Sequence, residues 1–320
     1  MTRILFLSFA TAALLLACKE EGPDAPPRKN GCIDTGCAPV TTATPPVDNP
    51  DGGVVTPLTG TTGNATLVKG GLGALSGAVW VGGRLLVTDG TQILELGADS
   101  NTTSFRAAAG ARCLGTDKDG NLLACETTRI SRSAATKGAA VTAVAETFET
   151  KPFDAPDDVV VREDGNVYFT DSTGASQGTA AVYRVNNGTV TRLAQPPASP
   201  NKKFTKPAGI ALSRGGDKLF VADGDKVYAA RVQENGDVDE FAQNGEIAAG
   251  DGMTIDDDGN LYVADSTGVE VLTPLGGKIG TITVPAKPTG VSFGGADRRT
   301  LFITASGGIY SIVLNVPGLP

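Results

Sequence analysis

The sequence predicts an all-β protein, a six-bladed β-propeller that follows a signal peptide and a disordered linker. A short strand pattern occurs six times in the C-terminal part of the chain. Its intervals of about 35 to 50 residues suit one four-stranded blade per copy. Between the copies, no sustained 3.6-residue apolar period indicates a helix. The first 63 residues instead begin with an apolar run and continue as a polar segment rich in Pro, Thr, Gly and Asp.

The first 17 residues are predicted to be a signal peptide. A short basic start precedes the apolar residues 4–16, which are too few to span a bilayer, and Ala17 and Cys18 follow directly. This layout is typical of a bacterial lipoprotein, in which the Cys18 thiol is acylated and becomes the first mature residue. An ordinary secreted protein whose signal ends in Cys is the alternative. Lys19 stands where the inner-membrane retention signal of this class has Asp. We therefore expect a lipid anchor in the outer membrane of the cell envelope.

Residues 18–63 are predicted to be a lipidated N-terminus and a linker. They contain too little apolar surface to fold alone. As a flexible coil, about 45 residues reach roughly 40 Å, enough to hold a domain clear of the membrane. Cys32 and Cys37 interrupt this segment. With Cys18 acylated, the four other cysteines are an even number in an oxidising compartment, and we expect Cys32 to pair with Cys37.

The other predicted disulfide joins Cys113 and Cys125. Residues 117–121 have the composition of a hairpin turn, and folding the chain there brings the two cysteines opposite each other. Such a bond stabilises a domain by roughly 3 kcal/mol in the chain-entropy model. Two buried free thiols are the alternative. A cysteine-rich metal site is disfavoured because the chain has no histidine and no Cys-x-x-Cys pair.

The six repeat copies are predicted to be one strand of each blade in a propeller domain over residues 64–320. The last copy lacks one edge strand, and residues 65–68 are predicted to supply it and close the ring. The copies are LLVTD at 85–89, LLACE at 122–126, VYFTD at 167–171, LFVAD at 219–223, LYVAD at 261–265 and LFITAS at 301–306.

A second pattern marks the start of the innermost strand in each blade. Aligned, the first members of this pattern form a ring around one mouth of the central channel, where propellers usually place a ligand. Two carboxylates in this ring repel each other and raise one pKa unless a cation offsets the charge. The predicted ligand-binding residues are Ser76, Arg112, Asp157, Ala208, Asp251 and Thr289.

Several other acidic residues are better explained by structural roles than by catalysis. The Asp residues that end the repeats suit backbone-capping turns better than catalysis. Residues 256–259 lack the alternating ligands and the distant Glu of an EF-hand, so we expect an exposed hairpin there. Asp157 and Asp158 could also cap a local turn at the start of a strand.

Composition excludes several classes of function. A net charge of −8 argues against nucleic-acid binding, which needs a basic surface. The absence of histidine excludes a Ser-His-Asp or Cys-His hydrolase.

Motifs in order along the chain resemble the gluconolactonase and regucalcin family, also called senescence marker proteins. The resemblance covers about residues 65–314. The motifs are SGAVW at 76–80, APDDVVV at 155–161, EDGNVYFTD at 163–171, KPAGI at 206–210 and GDGMTID at 250–256.

This resemblance implies a six-bladed propeller with one divalent metal in the channel and hydrolysis of sugar lactones or related esters. The metal would be Ca²⁺, Mg²⁺, Mn²⁺ or Zn²⁺. Family members hold it with a Glu, an Asn and an Asp, and a second Asn lies nearby. At these positions the chain has Ser76, Ala208, Asp251 and Asp157. Only Asp251 matches, so the metal site is degenerate, although Asp157 could compensate in part.

The sequence leaves two alternative functions for this protein. The first is a non-catalytic envelope module that binds a small ligand or an envelope protein at the channel mouth. The second is a divalent-metal-dependent lactonase or carboxylic-ester hydrolase with a rewired site, in which Asp251 and Asp157 are the candidate catalytic residues. A metal held by these two carboxylates would favour the enzyme, and an Arg112 side chain that bridges them would favour the binding module.

Overall fold

The computed structural model of the protein describes residues 56–59, 62–196 and 203–319. Every regular element in these ranges is a β-strand, and none of their residues forms a helix able to cross a bilayer. The predicted lipidation at Cys18 and the predicted bond between Cys32 and Cys37 lie outside the described residues.

The strands form six blades in chain order, with antiparallel neighbours in each blade, which confirms the predicted propeller. Strands β1 (Thr62–Asn64) and β2 (Thr66–Ala74) come first and join the last two blades. Blade one contains β3 (Ala78–Val81), β4 (Arg84–Thr88), β5 (Gln92–Leu96) and β6 (Thr102–Ala107). Blade two contains β7 (Cys113–Thr116), β8 (Leu122–Glu126), β9 (Arg129–Ser133) and β10 (Val141–Ala145). A small hairpin follows, formed by β11 (Thr147–Phe148) and β12 (Lys151–Pro152).

The next three blades repeat this arrangement. Blade three contains β13 (Pro156–Val161), β14 (Val167–Asp171), β15 (Ala181–Asn186) and β16 (Thr189–Arg192). Blade four contains β17 (Pro207–Leu212), β18 (Lys218–Asp223), β19 (Lys226–Arg231) and β20 (Ala242–Glu246). Blade five contains β21 (Met253–Ile255), β22 (Leu261–Ala264), β23 (Val269–Leu272) and β24 (Lys278–Thr283).

Blade six closes the ring. It contains β25 (Pro288–Gly294) and the long β26 (Thr300–Val313), which pairs with β25 through its first half and with β2 through its second half. The amide of Leu314 donates to the carbonyl of Arg299 at 2.8 Å, so the two ends of β26 lie side by side. Strand β2 is therefore the fourth segment of blade six. The predicted closure by residues 65–68 is present.

The folded part also includes residues before position 64, the expected start of the domain. Strand β1 pairs in parallel with β24 and extends blade five. Leu58 is 2 % exposed and belongs to the apolar core shared by blades five and six, where it joins Tyr262 and Phe293. A buried leucine contributes about 1.5–3 kcal/mol, so this segment stabilises the closed ring.

The C-terminal residues lie across the end of the channel that is opposite the mouth. Strand β21 runs from the mouth toward Ile255, whose carbonyl accepts a hydrogen bond from the amide of Leu319 at 3.4 Å. The amide of Asp257 donates to Pro317 at 2.8 Å. The N-terminal segment enters at the same end, because the amide of Asn315 donates to the carbonyl of Pro57 at 3.2 Å.

The predicted disulfide between Cys113 and Cys125 is present. The two residues are directly opposite in β7 and β8, with their Cα atoms 5.0 Å apart. Both side chains are buried beside Phe153, Phe169 and Tyr183 in the apolar core between blades two and three. The bond thus fixes the innermost hairpin of blade two, which carries the mouth residue of that blade.

Candidate functional site

The six residues predicted to surround the channel mouth line one cavity of about 1080 Å³ between the innermost strands. Each blade contributes one of them, at or just before the start of its innermost strand. The cavity continues from this mouth to Leu319 in the C-terminal tail. The structure therefore brings together the whole predicted ring, which is Ser76, Arg112, Asp157, Ala208, Asp251 and Thr289.

Glycine allows neighbouring innermost strands to approach closely at the mouth. A Cβ atom on Gly77 would lie 2.7 Å from the Cα atom of Cys113. A Cβ atom on Gly290 would overlap the carbonyl oxygen of Ser76. Any larger residue at either position would push the strands apart. Blade one is consequently held directly against blade two on one side and blade six on the other.

Asp157 forms an ion pair at the mouth. Its carboxylate, 12 % exposed, lies 3.8 Å from the guanidinium of Arg112, whose side chain is 50 % exposed. Burial raises the pKa of Asp157, and the positive charges of Arg112 and Lys206 counteract part of that effect. Among the described residues, Asp157 is the only acidic partner within 4.0 Å of Arg112. Arg112 therefore does not bridge the two carboxylates.

Asp251 shares the mouth with Asp157. Burial, followed by repulsion from the Asp157 carboxylate, raises the pKa of Asp251 to about 6. The charges of Lys287, Lys206 and Arg112 act in the opposite direction. The expected repulsion between the two carboxylates is therefore present, and three cations offset only part of the combined effect of burial and repulsion.

Asp158 joins two blades below the ring. It accepts a hydrogen bond from the amide of Val159 at 2.9 Å, as a local turn requires. Its other oxygen accepts one at 3.0 Å from the amide of Ile210 in blade four. Burial raises the pKa of Asp158 to about 8. The predicted local cap at Asp158 is therefore present, but this carboxylate also links blade three to blade four.

The sequence had suggested no role for two lysines near the mouth: Lys206 lines the cavity, and the charge of Lys287 lowers the pKa of Asp251. Lys206 and Lys287 each lie two residues before a ring residue, in the matching tetrapeptides KPAG and KPTG. Both side chains are exposed, and neither forms an ion pair within 4.0 Å among the described residues. The Lys-Pro pair that precedes both ring residues is visible in the sequence, and extending the alignment by two positions would have revealed it.

The Asp residues that end the second strands cap backbone groups, as predicted. Asp89, Asp171, Asp223 and Asp265 accept amide hydrogen bonds from Thr91, Ala155, Thr205 and Ala248, respectively, at 2.9–3.0 Å. In blades three, four and five, the bonded amide lies just before the innermost strand. These carboxylates therefore position the segments that carry the mouth residues.

The hairpin at residues 256–259 is present, but the prediction that it is exposed is wrong for Asp256. This residue is fully buried and accepts hydrogen bonds from the amide of Asn260 at 2.8 Å and the hydroxyl of Tyr262 at 2.9 Å. The carboxylate stabilises the turn from inside because it satisfies donors that the turn buries.

The ring residues at the mouth offer few side-chain oxygens to a divalent metal. Ala208 has no side-chain donor, and the hydroxyl of Thr289 donates to the carbonyl of Leu75 at 2.8 Å. Ca²⁺ takes about six to eight oxygen ligands and Mg²⁺ about six, of which carboxylates supply one or more and water or carbonyls the rest. Across residues 56–59, 62–196 and 203–319, no three His, Cys, Asp or Glu side chains are grouped to hold a metal. Among the six ring residues, Asp157 and Asp251 are the only carboxylates; Asp157 pairs with Arg112, and the charges of Lys287, Lys206 and Arg112 act on Asp251.

The sequence also has known relatives. Residues 76–307 match the family described as the SMP-30/Gluconolactonase/LRE-like region. A gluconolactonase of Zymomonas mobilis subsp. mobilis is 28 % identical over 187 residues, which are 51 % of this chain and 51 % of that protein. The match thus spans about half the length of this relative.

Solved structures share the fold. A gluconolactonase from Xanthomonas campestris has a TM-score of 0.68 at 23 % identity, over 78 % of this chain and 89 % of that one. The calcium-binding protein regucalcin from Agrobacterium tumefaciens has a TM-score of 0.67 at 16 % identity, over 81 % of this chain and 97 % of that one.

Proposed function

We propose that this chain, which belongs to the SMP-30/gluconolactonase/LRE-like family, is a non-catalytic binding protein of the bacterial cell envelope. In this proposal an acylated Cys18 anchors it to the outer membrane, and the channel mouth holds a small ligand. The concave cavity of about 1080 Å³ suits a small molecule better than a protein surface.

One observation carries the non-catalytic part of the proposal. Where relatives in this family would need oxygen ligands for a metal, the mouth presents Arg112 and Lys206 beside two carboxylates, and the charge of Lys287 also acts on Asp251. Cations close to a carboxylate compete with a metal ion for its charge. The same cations are available to an anionic or polar ligand. Binding therefore accounts for the side chains present, and metal-assisted hydrolysis does not.

Calorimetry tests this part directly. The mature chain with Cys18→Ser, which cannot be acylated, is titrated with Ca²⁺, Mg²⁺, Mn²⁺ and Zn²⁺, and the titrations are repeated on Asp251→Ala. We expect no saturable binding of any of the four. Micromolar binding that disappears in Asp251→Ala would overturn the proposal.

The metal-dependent lactonase remains the second candidate because Asp251 occupies the family position and has a pKa near 6, which suits a general acid or base. Hydrolysis of glucono-δ-lactone is followed with each metal present, on the same chain and on Asp251→Asn. The binding proposal predicts equal rates for both proteins and for buffer. A rate at least tenfold above buffer that Asp251→Asn removes would establish the enzyme instead.

The anchor is tested separately. Cells that express the full chain are labelled with a palmitate analogue and fractionated. We expect label in the outer-membrane fraction for the natural sequence and no label for Cys18→Ser, because the acyl groups attach through this thiol. An unlabelled, soluble protein from both sequences would remove the anchoring part and leave the binding part intact.

A further inference from the structure

The channel has a second end, opposite the mouth, and residues 317–319 pair with an innermost strand there. Strand β21 is the shortest of the six innermost strands, with only three residues. Its edge away from β22 would otherwise present unpaired backbone groups at this far end of the channel. Residues 317–319 run antiparallel beside that edge, with Gly318 opposite Asp256. The chain therefore covers the edge with a segment of its own.

This segment has a fixed root and a lightly held tip. In the root, Val316 is 4 % exposed, and the side-chain amide of Asn315 donates to the carbonyl of Thr56 at 2.9 Å. The tip is residues 317–319, which have no polar side chain. Three backbone hydrogen bonds, one of them to the carbonyl of Arg298 in blade six at 2.9 Å, and two half-buried side chains hold it. The tip can therefore detach while the root stays in place.

Gly318 determines whether the tip fits into the channel end. A Cβ atom on residue 318 would lie 2.1 Å from Cγ and 2.2 Å from Cβ of Phe293. Phe293 cannot move aside, because it is buried and packs edge to face on Tyr262 with ring centroids 5.0 Å apart. The φ angle of Gly318 is not in the left-handed region, so space alone excludes alanine. The seated position of the tip thus depends on this one contact.

We propose that residues 317–319 are a gate at the far end of the channel. Leu319 lines the same cavity as the mouth residues, so the seated tip bounds the cavity on this side. With the tip paired to β21, a solute enters by the mouth. When the tip detaches and Val316 stays buried, the channel is open at both ends. The gate does not depend on which ligand the mouth binds or on whether the protein is an enzyme.

A cysteine beside the tip measures whether the gate is closed. Thr254 lines the cavity one residue before Ile255, whose carbonyl accepts a hydrogen bond from the tip. Thr254→Cys is made in the mature chain, in which serine replaces the three cysteines before the propeller and the buried disulfide of blade two does not react. Labelling by fluorescein maleimide should be slow with the natural tip. Gly318→Ala, which cannot seat the tip, and a chain that ends at Val316 should each be labelled at least tenfold faster.

Two controls separate the gate from a general change in the propeller. Gly73→Ala makes the same substitution at a glycine in β2 whose added Cβ would have no atom within 4 Å, and it should leave the labelling rate of Thr254→Cys unchanged. Lys206→Cys is an exposed position at the mouth and should be labelled at the same rate with every form of the tip. Unfolding midpoints of all variants are measured in parallel.

Two results would overturn the gate. Equal labelling of Thr254→Cys with the natural tip, with Gly318→Ala and with the chain that ends at Val316 would show that the tip does not control access. Unfolding of both altered chains at the labelling temperature would show that the tip is an essential part of the propeller and cannot detach from it. If only Gly318→Ala unfolds, the shortened chain decides. Neither result changes the metal titrations at the mouth, so the gate and the proposed function fail separately.

Discussion

Asp251 lies where burial and the neighbouring Asp157 both disfavour its charged form. Its pKa is about 6 in the folded chain against 3.8 for an ordinary Asp. The folded state therefore holds the proton more tightly than the unfolded state. This stabilisation is present below pH 3.8 and is lost as the pH rises through about 6. Above that range the ionised carboxylate destabilises the folded state. Such a cost is expected of a side chain that serves the proposed binding function.

We therefore expect Asp251→Asn to be more stable than the natural sequence at pH 7.5 by about 1–3 kcal/mol, since one pKa unit corresponds to about 1.4 kcal/mol. The lower end is favoured because Asp251 lines the open cavity, where solvent screening reduces the cost of its charge. The gain should disappear at pH 4. Urea unfolding of both proteins between pH 4 and pH 8 measures it. Asp225→Asn, at a side chain that is 78 % exposed, is the control and should change little at any pH. A gain for Asp251→Asn that is the same at every pH would contradict the titration.

Asp223 positions Lys206 through the backbone. Its buried carboxylate accepts hydrogen bonds from the amides of Thr205 and Lys206 and from the hydroxyl of Thr205. Asp223→Ala would leave these donors without a partner, at a cost of about 2–4 kcal/mol. Asp223→Asn should cost less because its amide oxygen still accepts. Denaturant unfolding measures both, and Asp225→Ala should stay within about 0.5 kcal/mol of the natural sequence. Equal stability of all three variants would show that the cap is unimportant.

At this scale, sequence alignment located the ring but not the charges that define it. The first members of the six motifs do meet at one mouth, because a repeated blade places equivalent residues at equivalent positions. Lys206 and Lys287 lie just outside the aligned motif and so received no role. The bond from Asp158 to Ile210 spans 52 positions and depends on how two blades meet, which no local pattern encodes.

At the scale of elements, closure of the ring depends on a short N-terminal segment. Strand β2 completes blade six, β1 extends blade five, and Leu58 packs in the core that these blades share. A chain that starts at residue 56 keeps all three features. One that starts at residue 70 loses Leu58, β1 and half of β2.

Truncation tests the closure. The chain that starts at residue 56 should unfold at the same temperature as the full chain, and the one that starts at residue 70 should be destabilised by at least 3 kcal/mol. Burial of Leu58 alone accounts for about 1.5–3 kcal/mol of this difference. Thermal unfolding measures both. If the shorter chain aggregates, Leu58→Ala in the full chain is a milder change, with an expected cost of about 2–4 kcal/mol. Equal midpoints for the two truncated chains would show that the ring closes without this segment.

The elements differ in how far the sequence predicted them. The six second strands were predicted because each ends in the same pattern, and β2 because the last copy lacked an edge. Strand β1 has three residues and no repeat partner, so nothing in the sequence distinguished it from the linker. Residues 315–319 contact blade five through backbone amides of Asp257 and Leu319. Backbone contacts of this kind leave no side-chain pattern to detect.

At the scale of the whole molecule, the chain enters the propeller at the end opposite the channel mouth. Thr56 accepts a hydrogen bond from Asn315, which follows the Leu314 amide bonded at the far end of blade six. The ring residue of that blade, Thr289, lies at the opposite end of β25. If Cys18 is anchored as proposed, the anchored segment joins the propeller at the end away from the mouth. The proposed anchor and the proposed binding site are therefore compatible.

Shortening the chain between the anchor and the propeller should thus reduce access to the far end of the propeller and leave access to the mouth unchanged. Lys287→Cys at the mouth and Asp258→Cys at the far end are compared in lipidated protein on vesicles, with Cys32 and Cys37 replaced by serine. A bulky polymer maleimide should label Lys287→Cys at the same rate with or without residues 20–50. Labelling of Asp258→Cys should slow at least threefold when these residues are deleted, because the exposed far end is then drawn against the headgroups. Slower labelling at Lys287→Cys instead would place the mouth against the membrane and exclude a ligand that approaches from the aqueous side.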